Sequence, residues 1–147
     1  MKKIRVRAPE VGEPTDGLWS NCLKVGDMVY VSGLTARAKD GSTVVGEDEY
    51  AQAQFIFTKM RHLMEAAGGC MDDIVKMTIF VTRIGKNVDI WKARREAFTG
   101  DFPACSLVEV SALAKPEILV EIEAFGHIGA APNRPASLPA GLSVPPA

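Results

Sequence analysis

Only two segments of this 147-residue chain carry a helical pattern, and this limits the folds that the chain can adopt. The first helix is predicted over Glu47–Ala67, where apolar residues recur every three or four positions and Gly68 and Gly69 follow as a stop. The second is predicted over Asn87–Gly100, with Asn87 as its cap. Two helices can cover only one face of a sheet, so the other face must be buried in another way.

Six segments have the composition or the alternation of strands. They cover Lys3–Arg7, Ser20–Val25, Met28–Ser32, Ile74–Thr82, Ala104–Ala112 and Glu117–Phe125. A turn at Gly26-Asp27 joins the second and third strands as a hairpin, and the last two strands are expected to form another. Each helix is long enough to cross over between parallel strands. The order predicts an α+β fold, with a mixed six-stranded sheet and both helices on one face.

The composition changes only near the C-terminus, where the last 17 residues contain five prolines. Prolines at that density maintain neither a helix nor a central strand. We therefore expect one domain over residues 1–129 and a Pro-rich tail over residues 130–147. The tail is either without fixed structure or an extended arm whose Leu138, Leu142 and Val144 pack on a neighbouring surface.

The face of the sheet away from the helices is expected to mix apolar side chains with carboxylates. Alternation along the last two strands places these residues there: Cys105, Leu107, Glu109, Ser111, Leu119, Glu121, Glu123, Phe125 and His127. An apolar patch of this kind usually marks a contact site. We expect a homo-oligomer that buries these faces around a symmetry axis, with some carboxylates in the clefts between subunits.

The register of the last hairpin decides which of these groups meet. A loop centred near Lys115-Pro116 would pair Glu109 with Glu121. Either Glu109 or Glu123 is expected beside Glu121. Two neighbouring carboxylates repel, so one of them would hold its proton to higher pH and could act as an acid or a base. In the same register His127 lies diagonally from Cys105 and could serve as its base.

Charge and cysteine content exclude several classes of function. Seventeen basic residues against eighteen acidic ones give a formal net charge of −1, without the clustered positive charge that nucleic acids or anionic membranes require. No stretch approaches the ~20 apolar residues of a membrane span. The cysteines, Cys22, Cys70 and Cys105, have neither zinc-site nor disulfide spacing. We expect a cytoplasmic protein with reduced thiols and a small-molecule partner, and without metal, nucleic acid or membrane.

Several sequence blocks occur in a characteristic order between about Trp19 and Phe125. They are Val29-Tyr30-Val31-Ser32-Gly33, Glu65-Ala66-Ala67-Gly68, Asp73–Val81, Phe102-Pro103-Ala104, Val108-Glu109-Val110 and Val120–Ala124. The set resembles the Rid family of imine and enamine deaminase-like proteins, also called L-PSP endoribonucleases. The resemblance implies a chorismate-mutase-like protomer, a homotrimer and three ligand clefts between neighbours. It also implies hydrolysis of 2-imino and 2-enamino acids to 2-keto acids and ammonia, without metal or cofactor.

The resemblance implies site residues as well. Ser32 and Gly33 match the Ser-Gly pair at the family's cleft, and Trp19 stands where an aromatic residue lines it. Glu121 aligns with the glutamate that positions or activates water.

Two positions depart from the family pattern. After Ala104 the deaminases place an arginine that clamps the substrate carboxylate, and this chain has Cys105. Lys92 stands where the second helix carries an asparagine. A thiol has neither a fixed charge nor a bidentate fork, so Cys105 is either a small inert side chain or a nucleophile or ligand contact that alters specificity. Ala104 and Lys92 are expected to contact the ligand.

Three functions follow, in this order. The first is a cofactor-free hydrolase that acts on a small imine, enamine or related reactive metabolite, with Glu121 and Cys105 as catalytic candidates. The alternative is a non-catalytic small-molecule-binding or interaction protein on the same trimeric scaffold, motivated by the missing arginine. The third, an endoribonuclease or translation inhibitor, ranks last because the chain has no basic stripe.

Overall fold

The structure is a computed structural model that describes residues 1–132. Residues 133–147, and with them most of the tail predicted over 130–147, lie outside the described residues. The elements are β1 (Lys3–Arg5), β2 (Cys22–Val25), β3 (Met28–Leu34), α1 (Glu49–Ala66), β4 (Ile74–Val81), α2 (Asn87–Ala97), β5 (Ala104–Glu109) and β6 (Val120–His127). Within the described residues, neither helix combines the length and the apolar character needed to cross a membrane.

The six strands form one mixed sheet in the order β1-β2-β3-β6-β4-β5. β2 and β3 form the predicted hairpin, in which Val25 pairs with Met28. Gly26 has a φ of 58°, the positive value that the first residue of such a turn needs. β6 runs antiparallel to both β3 and β4, while β4 and β5 are adjacent and parallel across α2. The predicted α+β fold with a mixed six-stranded sheet is confirmed.

The expected hairpin between the last two strands is wrong, because β4 lies between β5 and β6. Glu109 pairs with Val81, and Glu121 pairs with Phe80, so the two glutamates are not neighbours. The α2 crossover places β5 beside β4 in parallel, and the connection after β5 then returns the chain to the other side of β4.

The core lies between the sheet and the two helices, which contact each other on one face. The buried apolar side chains of α1 repeat at helical spacing and are Ala53, Ile56, Phe57, Met60, Leu63 and Met64. The strand side chains packed in the same cluster include Val29, Val31, Met77, Ile79, Ile122 and Ala124. Alternate residues on the strands therefore point away from the helices.

Both ends of α1 are capped. The Asp48 side chain accepts a hydrogen bond from the Ala51 amide at 2.8 Å, which satisfies one free donor of the first turn. At the other end Gly68 has a φ of 92° and its amide donates to the Glu65 carbonyl. Lys24 donates from Nζ to the Ala67 carbonyl at 2.9 Å, placing a cation at the negative end of the helix dipole. The predicted stop at Gly68 is confirmed.

The second helix is shorter than predicted. Asn87 is its first residue and not the cap, and the helix ends at Ala97 instead of Gly100. Phe98 has extended backbone, is buried, and packs its ring edge-on against Phe57 of α1 at 5.6 Å between centroids. Phe98 continues the apolar spacing of α2 because it packs in the core, and this spacing made the predicted helix longer than the observed one.

A buried carboxylate fastens the chain after β6 to the start of β4. The side chain of Asp73 accepts hydrogen bonds from the amides of Cys70 at 3.0 Å, Gly129 at 3.1 Å and Ala131 at 2.9 Å. Asp73 is completely buried, so these backbone donors replace the water that a carboxylate normally binds.

Candidate functional site

The face of the sheet opposite the helices, called here the open face, carries aromatic and acidic side chains. Burial alternates along β6, and Glu121, Glu123, Phe125 and His127 are its more exposed residues, as predicted. Tyr30 of β3 lies beside Phe125, with ring centroids 5.7 Å apart in an edge-to-face arrangement. Both rings are 43% exposed. The open face of one chain is therefore an apolar patch bordered by carboxylates.

The predicted face of the β5 side chains is wrong. Cys105 pairs with Met77 and Leu107 pairs with Ile79 in the parallel ladder. Paired residues point to the same side of a sheet, and Met77 and Ile79 are buried under the helices. Cys105 and Leu107 accordingly pack against the core. The error has a physical origin. Odd-numbered and even-numbered positions of β5 both carry apolar side chains, so the pairing with β4 decides which set faces the helices.

The same register excludes the Cys105–His127 dyad. His127 pairs with Met28 on β3, whereas Cys105 lies on the far edge strand and on the opposite face. The Cys105 thiol donates only a weak hydrogen bond, to the Ser106 carbonyl at 3.7 Å.

The carboxyl group of Glu121 lies directly against the backbone of Gly33. A Cβ atom on residue 33 would stand 2.0 Å from Glu121 Oε1, so only glycine leaves room for this side chain as it is placed. The close approach coincides with a register shift between Val31 and Leu34, where β3 pairs irregularly with β6. Ser32, inside this irregular segment, donates from Oγ to the Asn21 carbonyl at 3.2 Å.

Partial burial changes the acidity of Glu121. Desolvation raises its pKa, the nearby charge of Glu123 raises it further, and the positive charge of Arg37 lowers it. The net direction is upward, because the first two causes exceed the third. A carboxyl group with a raised pKa exchanges its proton closer to neutral pH than an ordinary one does.

A cavity of about 340 Å³, called here the Gly33 pocket, opens beside this contact. Its lining includes Gly33, Trp19, Asn21, Arg37 and Lys59. Trp19 is half exposed and donates from Nε1 to Asn21 Oδ1 at 3.2 Å. The Asn21 side chain in turn donates from Nδ2 to the Gly12 carbonyl at 2.8 Å. The indole is therefore held in one orientation at the rim of the pocket. The volume lies at the lower end of the range for small-molecule sites.

The structure brings together four of the predicted site residues and separates three others. Trp19 and Gly33 line the pocket and Glu121 adjoins it, and Ser32 precedes Gly33 on the same strand.

The other three lie elsewhere in the chain. Ala104 and Cys105 begin the far edge strand β5. Lys92 lies on α2, where its Nζ is 4.3 Å from the centre of the Tyr50 ring in a cation–π contact. Within one protomer these residues do not join the Gly33 pocket.

Sequence reasoning missed two cations of the pocket, Arg37 and Lys59. A signal for Lys59 was present, because it lies three residues after Ile56 and four before Leu63, on the apolar side of α1. A lysine at a core-facing position of a helix is uncommon and points to a specific environment. Arg37 lies in the connection after β3, where no periodic pattern applies.

Among residues 1–132, no group of three or more histidine, cysteine or acidic side chains is placed to hold a metal ion. The three cysteines are unpaired. Burial raises the pKa of the Cys22 thiol to about 11, so this residue is a core side chain and not a nucleophile.

Comparisons with known proteins agree with this fold. The crystal structure of a protein of unknown function from Pseudomonas aeruginosa is 39% identical, with a TM-score of 0.77 over 87% of this chain and 94% of that one. A Rid family protein from Yersinia pestis is 30% identical, with a TM-score of 0.80 over 86% of this chain and all of that one. RidA from the Antarctic bacterium Psychrobacter sp. is 28% identical, with a TM-score of 0.78 over 85% and 99%. The chain is thus similar in sequence and fold to these two Rid proteins. Residues 12–128 match the family described as Endoribonuclease L-PSP, and the chain therefore belongs to this family.

Proposed function

We propose that this protein is a cofactor-free hydrolase that replaces the nitrogen of a small imine or enamine by oxygen, in clefts between the subunits of a homotrimer. The observation that carries the proposal is the half-buried Glu121 carboxyl group held against Gly33 beside a small-molecule pocket. The family relationship supports the same reaction class, since RidA-named proteins are among its structural relatives.

The reaction needs proton transfers that one carboxyl group can provide. An enamine first takes up a proton at carbon, which gives the protonated imine. Water adds to the carbon of the protonated imine as Glu121 accepts one of the water protons, which gives a neutral carbinolamine. Glu121 then returns the proton to the nitrogen, the C–N bond breaks as ammonia leaves, and the hydroxyl proton passes to the Glu121 carboxylate as the carbonyl forms. A carboxyl group with a raised pKa suits both steps, because it is a stronger base than an ordinary carboxylate and can still return the proton.

The open face supports the assembly. Tyr30 and Phe125 of this face, and Val108 on β5, are each 41–43% exposed in the single chain. Burying such side chains stabilises by roughly 25 cal/mol per Å² of apolar area, so contact between copies is favourable. A neighbouring copy would also bring a β5 edge, with Ala104 and Cys105, toward a Gly33 pocket that its own chain leaves open. The unpaired thiols fit a reducing compartment such as the cytoplasm.

The test uses 2-aminoacrylate generated in situ, with release of pyruvate followed against buffer. The wild type should accelerate it, and Glu121→Gln should lose at least about 100-fold in rate, the usual contribution of a general acid or base. Glu123→Gln is the matched control, since residue 123 lies on the same strand and face. It should retain turnover and shift the acid limb of the pH profile downward. No acceleration by the wild type, or equal rates for the two variants, would remove the proposal.

A second candidate is a binding protein that performs no chemistry. It is favoured by one observation, that position 105 carries a thiol directed to the core side of the sheet and supplies no cation there. A metabolite that co-purifies with the protein and remains unchanged on incubation would support it. Salt-sensitive RNA cleavage that follows the protein through purification would instead support an endoribonuclease.

A further inference from the structure

We propose that the Gly33 pocket binds a carboxylate group of its ligand through two cations of the same chain, Arg37 and Lys59. The proposal rests on the hydrolase function only for what happens at the other end of the ligand, beside Glu121.

Arg37 is the first of the two cations. Arg37 lines the pocket, and its Nε is buried without a hydrogen-bond partner. Within residues 1–132 no carboxylate lies within ion-pair distance of its guanidinium. A buried guanidinium nitrogen without an acceptor costs free energy, and an anion in the pocket would remove that cost.

Lys59 is the second cation, and it reaches the pocket from the buried side of α1. Its Nζ donates to the carbonyls of Thr35 at 2.9 Å and Arg37 at 3.1 Å. Both acceptors are neutral, so the ammonium group has no counterion in the described part of the chain. Burial, with repulsion from Arg37 added, lowers the pKa of Lys59 to about 8. These are the conditions under which an added anion binds favourably.

The acidic residues at the pocket are already engaged. Glu13 forms an ion pair with Arg5 at 2.8 Å. Asp40 accepts hydrogen bonds from the Thr43 hydroxyl and from the amides of Ser42 and Thr43 in its own turn, and these bonds, the hydroxyl bond most, lower its pKa to about 2. Neither carboxylate is available to neutralise Arg37 and Lys59.

The placement of Glu121 selects a monoanion. Arg37 is close enough to act electrostatically on Glu121, so a ligand anchored at Arg37 lies near that carboxyl group. A doubly charged phosphate would meet the repulsion of Glu121, whereas a carboxylate matches the fork of a guanidinium with a single charge. The cavity of about 340 Å³ suits an acid of a few carbon atoms.

Calorimetric binding of three probes tests the proposal without requiring turnover. The probes are 2-oxobutanoate, its neutral isostere 2-oxobutanamide, and inorganic phosphate. The wild type should bind the acid at least 10-fold more tightly than the amide or phosphate. Arg37→Gln and Lys59→Gln should each weaken binding of the acid by roughly 10- to 100-fold, as expected for loss of a charge-assisted hydrogen bond.

Two further variants separate charge from fold. Arg61→Gln removes the same charge from the exposed side of α1 and should bind like the wild type. Lys59→Arg keeps the charge and should recover most of the binding lost in Lys59→Gln.

Equal binding of acid and amide, tighter binding of phosphate, no detectable binding of the acid, or equal behaviour of the Arg37 and Arg61 variants would overturn the proposal. Where turnover is found, Arg37→Gln should raise KM for 2-aminoacrylate more than it lowers kcat. A protein that turns over 2-aminoacrylate with unchanged KM in Arg37→Gln retains the hydrolase function and refutes the carboxylate site. A protein that shows no turnover but binds the acid only when Arg37 is present retains the carboxylate site and refutes the hydrolase function.

Discussion

Replacing Gly33 by alanine tests whether the contact between Glu121 and the strand backbone defines the site. The new Cβ would stand 2.0 Å from Glu121 Oε1, 2.9 Å from Cδ and 3.1 Å from Cγ. An ordinary contact begins at about 3.4 Å, so the carboxylate must move by about 1.4 Å. Misplacement of a reacting group by about 1 Å can cost about 100-fold in rate. We therefore expect Gly33→Ala to lower kcat/KM for 2-aminoacrylate by about that factor.

The same change should affect stability much less. The φ of Gly33 is not positive, so alanine fits the backbone, and stiffening the unfolded chain stabilises by about 0.4–1 kcal/mol. Forcing the Glu121 side chain off its present rotamer costs about 0.5–1.5 kcal/mol, so the net change in the free energy of unfolding should be small.

A double-mutant cycle isolates the contact. In a Glu121→Ala background the obstacle is gone, and Gly33→Ala should become stabilising by about 0.4–1 kcal/mol in urea unfolding. Full activity in Gly33→Ala, or the same stability change in both backgrounds, would show that Glu121 does not lie against this strand.

Three other predictions follow from single contacts. Burial and Glu123 raise the pKa of Glu121 in the folded protein, so the ionised carboxylate reduces stability at neutral pH. Glu121→Gln should therefore raise Tm at pH 7. The gain should vanish below about pH 4, where the carboxyl group is protonated in both the folded and the unfolded state. Asp73→Ala removes three hydrogen bonds from backbone amides and should lower the free energy of unfolding by about 3 kcal/mol in urea. Asp72→Ala leaves only solvent-accessible donors of Thr99 without their acceptor and should lower the free energy of unfolding by about 1 kcal/mol. Phe125→Lys should dissociate the assembly in sedimentation experiments without loss of the circular-dichroism signal, because Phe125 is exposed in the single chain.

The sequence predicted the elements that local rules determine. The hairpin at Gly26-Asp27 and the end of α1 at Gly68 depend on backbone conformations that glycine adopts readily, and both were predicted correctly. Alternation along β6 also placed Glu121 on the correct face, because apolar and polar residues alternate there.

The errors arose where the partner strand decides the outcome. β5 is apolar at both parities, so its pattern does not tell which face carries Cys105, and the insertion of β4 between β5 and β6 is a long-range choice. The cations of the Gly33 pocket were missed for a related reason. Arg37 follows a strand irregularity and meets Lys59 only after α1 packs on the sheet.

The measurement that tests the central claim most directly is the mass of the purified protein by sedimentation equilibrium over a wide concentration range. The proposed homotrimer, which buries the open face between copies, has a mass of about 47 kDa, three times the 15.8 kDa of one chain. A well-folded species that stays at 15.8 kDa at all concentrations would contradict the shared clefts and the proposal built on them.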